Sequence, residues 1–278
     1  RLGRSVGMLG KLGQEAFGTL IRAALDRYGV DTSGVVMDPE AKTRLSVVSL
    51  APDGERSFIF YKDTPADSAV DSDDILPAQI EGARLLHVGS LLMASPRAAA
   101  AQVKALDIAA SLGRPISLDP NFRLGLWPDK ATMVAAGRGL VARAAIVKLS
   151  EEELAALAGE GPIEPAVRSL WHVGMKILAV TRGARGAELI TREMRFTCHG
   201  YAVSTIDTLA AGDAFMASLL SGLLEIGLDT MDGEPLSRVL RQACAAGAIA
   251  TTRKGAMESL PTPEEIERLL WETPENLP

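Results

Sequence analysis

Apolar residues along this chain follow two alternating rhythms. Helical spacing predicts helices at Glu15–Tyr28, Pro96–Leu112, Asp129–Arg143, Glu151–Ala158, Ile163–Val173, Gly212–Ile226, Leu236–Arg253 and Pro263–Trp271. Between them lie short, continuously apolar runs at Leu85–Val88, Ile116–Leu118, Ala145–Lys148 and Ile177–Thr181. Such runs are how strands buried on both faces read, because a parallel sheet covered by helices has no polar side. The alternation predicts an α/β fold: a doubly wound, mostly parallel sheet flanked by helices.

Two stretches depart from that rhythm. Thr43–Leu50 and Arg56–Tyr61 read as strands joined by the turn Ala51-Pro52-Asp53-Gly54. The stretch from about 31 to 62 is therefore expected to project from the main domain as a small β lid. A second hairpin, Ala187–Thr191 to Arg195–His199, is expected to extend or edge the main sheet. No repeat, low-complexity tract or linker divides the chain, so 1–278 reads as a single domain with the lid inserted. The opening Arg1-Leu2-Gly3-Arg4-Ser5 runs straight into the strand Val6-Gly7-Met8-Leu9. It reads as the end of a helix and its turn, so a further strand and helix are expected upstream.

Composition narrows the class. Hydrophobic residues make up 47% and aromatics only 4%, which predicts a large core of aliphatic side chains. No uncharged apolar run reaches the ~18 residues a membrane span needs. With a net charge of -6 and no long Lys/Arg cluster, nucleic acid and anionic membrane are poor main partners. Cys198 and Cys244 match no metal or disulfide pattern and suit a reducing cytosol, so a cytoplasmic location is expected. His87, His172 and His199 are scattered and read as structural. Neither the dinucleotide fingerprint Gly-x-Gly-x-x-Gly nor a Walker A motif is present, which excludes NAD-dependent dehydrogenases and P-loop kinases.

The densest candidate chemistry is Asp207-Thr208-Leu209-Ala210-Ala211-Gly212-Asp213, a turn of small residues leading into an apolar helix. Small side chains leave backbone N–H groups open, and a helix N-terminus adds partial positive charge, which together suit a phosphoryl group. An aspartate at the mouth of such a site can take the proton of an attacking hydroxyl. By spacing alone, Asp207 or Asp213 fits a helix cap equally well.

The stretch resembles the second signature of the ribokinase-like (PfkB) carbohydrate kinases, Asp-Thr-x-Gly-Ala-Gly-Asp. Asp207, Thr208, Ala211, Gly212 and Asp213 match it, while Ala210 stands where the family has glycine. The resemblance implies that Asp213 is the catalytic base and that amides at Ala210, Ala211 and Gly212 hold the phosphoryl group in transit. If position 210 needs a positive φ, alanine there costs about 1 kcal/mol.

The resemblance extends over nearly the whole chain. Gly10-Lys11-Leu12-Gly13-Gln14-Glu15-Ala16-Phe17-Gly18 is similar to the family's segment after its first strand and helix. That implies Gly10 beside the substrate and the family's sugar-gripping Gly-Gly and Asp upstream of Arg1; the glycines also suit an ordinary strand-to-helix turn. Asp119-Pro120-Asn121-Phe122-Arg123, with Leu126-Trp127, resembles fructokinases and 2-keto-3-deoxygluconate kinases. Arg123 is implied to touch phosphate or substrate, a surface salt bridge being the alternative.

Lys148-Leu149-Ser150-Glu151-Glu152-Glu153 resembles the family's Asn-x-x-Glu region, with Ser150 in place of Asn. Glu153 is implied to reach Mg²⁺ through water, with Lys148 and Ser150 on the nucleotide. Ser150 and Glu153 also fit a capping box, and both readings can hold together. Thr181, Gly183 and Gly186 match the family's Thr-x-Gly-x-x-Gly along the ATP phosphates and ribose, and equally suit a hairpin turn. Ala246, Gly247 and Thr251 resemble the wall around adenine, a role small residues on a packed helix can mimic.

In the lid, Gly54-Glu55-Arg56 followed by Phe58, Phe60 and Tyr61 resembles fructokinases, and Phe60 would cover a sugar or bury a dimer contact. Taken together the resemblance implies ATP with Mg²⁺, a monovalent cation such as K⁺ beside Asp207, and a homodimer built through the lid. Fructose is the implied sugar. A 2-keto-3-deoxygluconate kinase, or a kinase-like sugar-binding protein that no longer transfers phosphate, is the alternative.

Overall fold

The structure, a computed structural model, describes residues 1–50, 56–60, 65–228 and 233–273, with the backbone alone at 47–50 and 56–60. The chain divides into two compact units. One comprises Ser5–Ile116 and Asn121–Leu140, the other Arg1–Arg4, Ser117–Pro120 and Val141–Pro278.

The first unit opens with β1 (Gly7–Gly13), α1 (Ala16–Arg27) and β2 (Asp31–Asp38). β1 and β2 pair in parallel, a geometry that needs a crossover, and α1 supplies it. The stretch expected to form a lid therefore begins with a strand bound to β1. The predicted hairpin follows as β3 (Ser46–Leu50) and β4 (Arg56–Phe60), paired antiparallel. Its turn and Tyr61 lie outside the described residues.

The root of the hairpin is tied on both sides. Glu15 caps α1 by accepting from the Gly18 N–H and also accepts from the Thr43 N–H at 2.7 Å. On the return side, the Ala66 N–H donates to the Lys42 carbonyl at 2.7 Å and Arg44 pairs with Asp67 at 2.7 Å. The unit continues through α2 (Ala78–Glu81), β5 (Leu86–Val88), α3 (Pro96–Ser111) and α4 (Lys130–Val141). Pro96 starts α3 where a missing N–H costs nothing, and Ala98, Ala101, Ala105, Leu106 and Ala109 form its buried stripe.

The second unit carries the sheet. Its strands are β6 (Ile116–Leu118), β7 (Ile146–Ser150), β8 (Ile177–Thr181), β9 (Ala187–Ile190) and β10 (Arg195–Cys198), ordered β10-β9-β8-β7-β6. β6, β7 and β8 run parallel, while β9 and β10 add an antiparallel hairpin at the edge. Helices α5 (Glu151–Ala158), α6 (Ile163–Leu170), α7 (Ala211–Ile226), α8 (Gly233–Ala250) and α9 (Pro263–Glu272) complete it. Ile177, Leu178, Ala179 and Val180 are all 0% exposed, so β8 is covered on both faces, as its unbroken apolar run predicts.

Strand alternation sorts the core. Ile146, Ile177 and Ala179 pack with Phe215 and Leu219 of α7 and Leu236 and Leu240 of α8. Each such aliphatic side chain contributes roughly 1.5–3 kcal/mol through burial. Lys148 shares the parity of Ile146 and so lies on the α7 side of β7. Cys198 and Cys244, distant in sequence, are free thiols buried in this same core, and the Cys198 thiol donates to the His199 carbonyl at 3.3 Å.

Helix ends differ from expectation by up to three residues. α6 stops at Leu170, where Trp171 turns extended, and His172 takes up the loop. The His172 Nδ1 accepts from the Gly174 N–H while Nε2 donates to the Val141 carbonyl at 2.9 Å, a structural role. Among the described residues, no helix is long and apolar enough to cross a membrane.

Candidate active site

The approach to α7 is built from backbone and one carboxylate. Asp207 accepts from the Leu209 N–H at 2.9 Å and from the Gly255 N–H at 3.2 Å, closing the turn before the helix. Ile206 and Asp207 each donate to the Thr251 carbonyl, which fixes this turn to the end of α8. Ala210 then enters the left-handed region at φ 60° and ψ 5°, a conformation that costs a non-glycine residue about 1–2 kcal/mol.

Ala210 occupies the N-cap position and has no side chain with which to cap. Among the described residues the Gly212 and Asp213 N–H groups find no backbone acceptor, and pairing resumes with the Ala214 N–H on the Ala210 carbonyl. The first turn of α7 thus keeps donors open at its positive end. Asp213, the acid of that turn, is exposed.

A buried ion pair stands beside this turn. The Lys148 Nζ lies 3.1 Å from Asp119 Oδ1 and 3.0 Å from Oδ2, and both residues are nine-tenths buried or more. A Cβ on Gly212 would stand 3.1 Å from that ammonium nitrogen, a tight contact that glycine avoids. Burial pushes the Asp119 carboxyl up to about 6; the Lys148 charge pulls it down, while Glu153 and Asp213 push it up further.

At the end of β7, Ser150 and Glu153 form a capping box on α5. The Ser150 Oγ accepts from the Glu153 N–H at 3.2 Å, and Glu153 Oε2 accepts from the Ser150 N–H at 2.9 Å. Opposite them in register is Thr181, whose hydroxyl donates to the Leu149 carbonyl at 3.4 Å. Gly183 and Gly186 follow in a tight turn, both at positive φ. At Gly186 glycine is needed without any ligand, since a Cβ would lie 2.0 Å from the Cys198 carbonyl oxygen.

On α8, Ala246 is wholly buried, whereas Gly247 lies against the first turn of α7, where its Cβ would meet the Ala211 carbonyl at 3.3 Å. The Thr251 hydroxyl donates to the Ala248 carbonyl at 2.7 Å. Asp207, Ala210, Ala211, Gly212, Asp213, Gly247 and Thr251 are thus brought together at the N-terminus of α7, with Lys148 against Gly212. Ser150, Glu153, Thr181, Gly183 and Gly186 follow the ends of β7 and β8. All belong to the second unit.

Gly10, Phe60 and Arg123 belong to the first unit. Gly10 lies within β1 opposite Val35, with open space where a side chain would be. Phe60 ends β4, and its side chain lies outside those described. Arg123 is exposed and donates to the Phe122 carbonyl at 2.9 Å. Among the described residues no group of three or more His, Cys, Asp or Glu is placed to hold a metal ion.

The residue the sequence reading passed over is Asp119. Its signal was present: Lys148 interrupts a buried apolar strand, and a buried ammonium requires a partner.

The arrangement couples an open helix N-terminus, an exposed carboxylate and a fixed ammonium, which can hold a phosphoryl group and deprotonate a hydroxyl. Comparison with known proteins points the same way. The family model described as pfkB family carbohydrate kinase matches residues 1–263. The chain is 36% identical over 271 residues to probable fructokinase-4 of Arabidopsis thaliana, covering 97% of this chain and 83% of that protein. The crystal structure of fructokinase with bound ATP from Xylella fastidiosa superposes with a TM-score of 0.91 at 32% identity, covering 98% of this chain and 87% of that one. Fructokinase from Vibrio cholerae O395, in its fructose, ADP and calcium ion bound form, gives a TM-score of 0.86 at 31% identity, covering 97% and 86%.

Proposed function

Since the chain belongs to the pfkB family of carbohydrate kinases, we propose that it is a fructokinase, moving the γ-phosphate of ATP to a hydroxyl of fructose. The observation that carries this reading is the first turn of α7, which starts without a side-chain cap and holds Asp213 exposed. Asp213 takes the proton of the sugar hydroxyl as it attacks the phosphoryl group. The amides of Ala210, Ala211 and Gly212 receive the oxygens of that group, Ala211 giving up its long 3.4 Å bond to the Thr208 carbonyl, with the helix end supplying positive charge.

Lys148, Ser150, Thr181, Gly183 and Gly186 bind the phosphates and ribose, and Ala246, Gly247 and Thr251 form the adenine side. Glu153, whose Oε2 accepts from the Ser150 N–H at the end of β7, would reach Mg²⁺ through water. Bound Mg²⁺ supplies charge that offsets the phosphates. Asp207 is the candidate neighbour of a monovalent cation. In the first unit, Gly10, Phe60 and Arg123 contact the sugar or its phosphate, with the β3–β4 hairpin serving as lid and as the contact of a homodimer. The pair of free cysteines suits a cytoplasmic location.

A coupled ADP-release assay with fructose and 2-keto-3-deoxygluconate tests the reading. Turnover on fructose at least about tenfold above the sugar acid supports it. A preference for 2-keto-3-deoxygluconate, which the Asp119–Arg123 segment also fits, replaces the substrate. Sugar binding with no ADP release replaces the enzyme with the binding protein that Ala210 suggests.

A further inference from the structure

We propose that Asp119 is a positioning residue for phosphoryl transfer: its carboxylate grips the Lys148 ammonium with both oxygens and fixes it against Gly212, as a permanent charge facing the group held by the first turn of α7. The inference rests on the kinase reading above.

The strand register creates the pair. Ser117 lies opposite Ile146 and Leu118 opposite Val147, and continuing by one residue sets Asp119 beside Lys148. Both side chains are therefore on the face of the sheet that packs against α7. A lysine on an open surface samples many rotamers. Held by two hydrogen bonds at 3.0 and 3.1 Å and buried all around, this one is confined to a single place.

Stability alone does not account for the pair. Desolvating two charges offsets most of their attraction, and apolar residues of similar volume hold adjacent strands as well or better. The location supplies the missing reason. The ammonium lies 3.1 Å from where a Gly212 Cβ would stand, at the second residue of the helix whose open amides are the proposed anion site. Charge placed before the reaction begins needs no reorganisation when negative charge shifts in the transition state, which is how fixed electrostatics lower a barrier. Without Asp119, the Lys148 ammonium would lose both carboxylate oxygens that hold it in place.

The test compares wild type with Asp119→Asn, Lys148→Met and the double variant, by ADP release with fructose, thermal melting and calorimetric binding of ADP. Each single variant is expected to lower kcat by about thirtyfold or more while the KM for fructose stays within about threefold, because the charge acts on the phosphoryl group in the transition state. The double variant should fall no more than about twofold below Lys148→Met, since Asp119 acts only through Lys148. A kcat for Asp119→Asn within about threefold of wild type, or losses that multiply, overturns the proposal.

Removing one member of a buried pair can unfold the chain. For that case Asp119→Asn combined with Lys148→Gln supplies an uncharged hydrogen-bonding pair; if it folds and turns over like wild type, the proposal fails. Absence of wild-type turnover on either sugar fails the kinase reading itself. The pair is then judged by binding of ADP with aluminium fluoride, a mimic of the phosphoryl group in transit. About tenfold weaker binding by Asp119→Asn supports the pair, and equal binding overturns it.

Discussion

Two helices of the second unit start with an acid at the same position and use it in opposite ways. In α5 the N-cap is Ser150 and the third residue is Glu153; in α7 the N-cap is Ala210 and the third residue is Asp213. Glu153 reaches back to the Ser150 N–H while Ser150 caps Glu153, so the end of α5 satisfies itself. Three glutamates in its first turn further complement the helix dipole. Ala210 has nothing to offer in return, and the carboxylate of Asp213 accepts no hydrogen bond among the described residues. One N-terminus is closed by its own side chains. The other has no side-chain cap, at a cost in local stability.

The most damaging way to break that comparison is to remove the charge at the open end. Asp213→Asn retains the shape and should lower kcat by about 10²–10⁴-fold with the KM for ATP nearly unchanged, measured by coupled ADP release. Because the Asp213 carboxylate accepts no hydrogen bond among the described residues, the melting temperature of the variant should match wild type. A near-normal rate would remove Asp213 as the base.

The matching change at the closed end separates two uses of one carboxylate. Glutamine also completes a capping box, so Glu153→Gln should melt close to wild type. If Glu153 also reaches Mg²⁺ through water, kcat falls about tenfold and half-maximal rate needs more Mg²⁺. A Mg²⁺ titration that overlays wild type confines Glu153 to capping.

A smaller effect is expected from Ser150→Ala, which deletes the cap and keeps the helix. Stability should drop by about 1 kcal/mol in thermal or urea unfolding. A kcat within about twofold of wild type at saturating ATP assigns Ser150 to the fold, whereas a raised KM for ATP assigns it to the nucleotide as well.

These contrasts also mark what could be read in the sequence. The strands at Ile116–Leu118 and Ile177–Thr181 were legible to the residue, because a strand buried on both faces is one unbroken apolar run. β2 was not, since Asp31, Ser33 and Gly34 break its pattern and its partner is set by a crossover through α1. The turn of small residues leading into α7 at 207–213 was legible as local structure, and so was the capping box at 150–153. The Asp119–Lys148 pair was not, because no spacing within one segment encodes a contact between neighbouring strands. Nor did spacing reveal that Gly186 is required by the Cys198 backbone, a tertiary contact that gives that glycine a reason without a ligand.

The finest test acts on the residue that opens α7. Ala210 holds φ at 60°, where an L side chain is disfavoured by about 1–2 kcal/mol, and glycine would remove that strain. Glycine also frees the unfolded chain, which returns roughly 0.5–1 kcal/mol of the gain. The balance predicts that Ala210→Gly stabilises by about 0.5–1 kcal/mol, seen as a rise of about 1–3 °C in Tm. The turn already has the conformation glycine prefers, so the open amides stay where they are and kcat should change by less than about twofold. A large rise in kcat would mean that alanine misplaces an amide of the anion site. A fall in Tm would mean that the left-handed turn is not the conformation the chain adopts, and the open end of α7 would then need a different account.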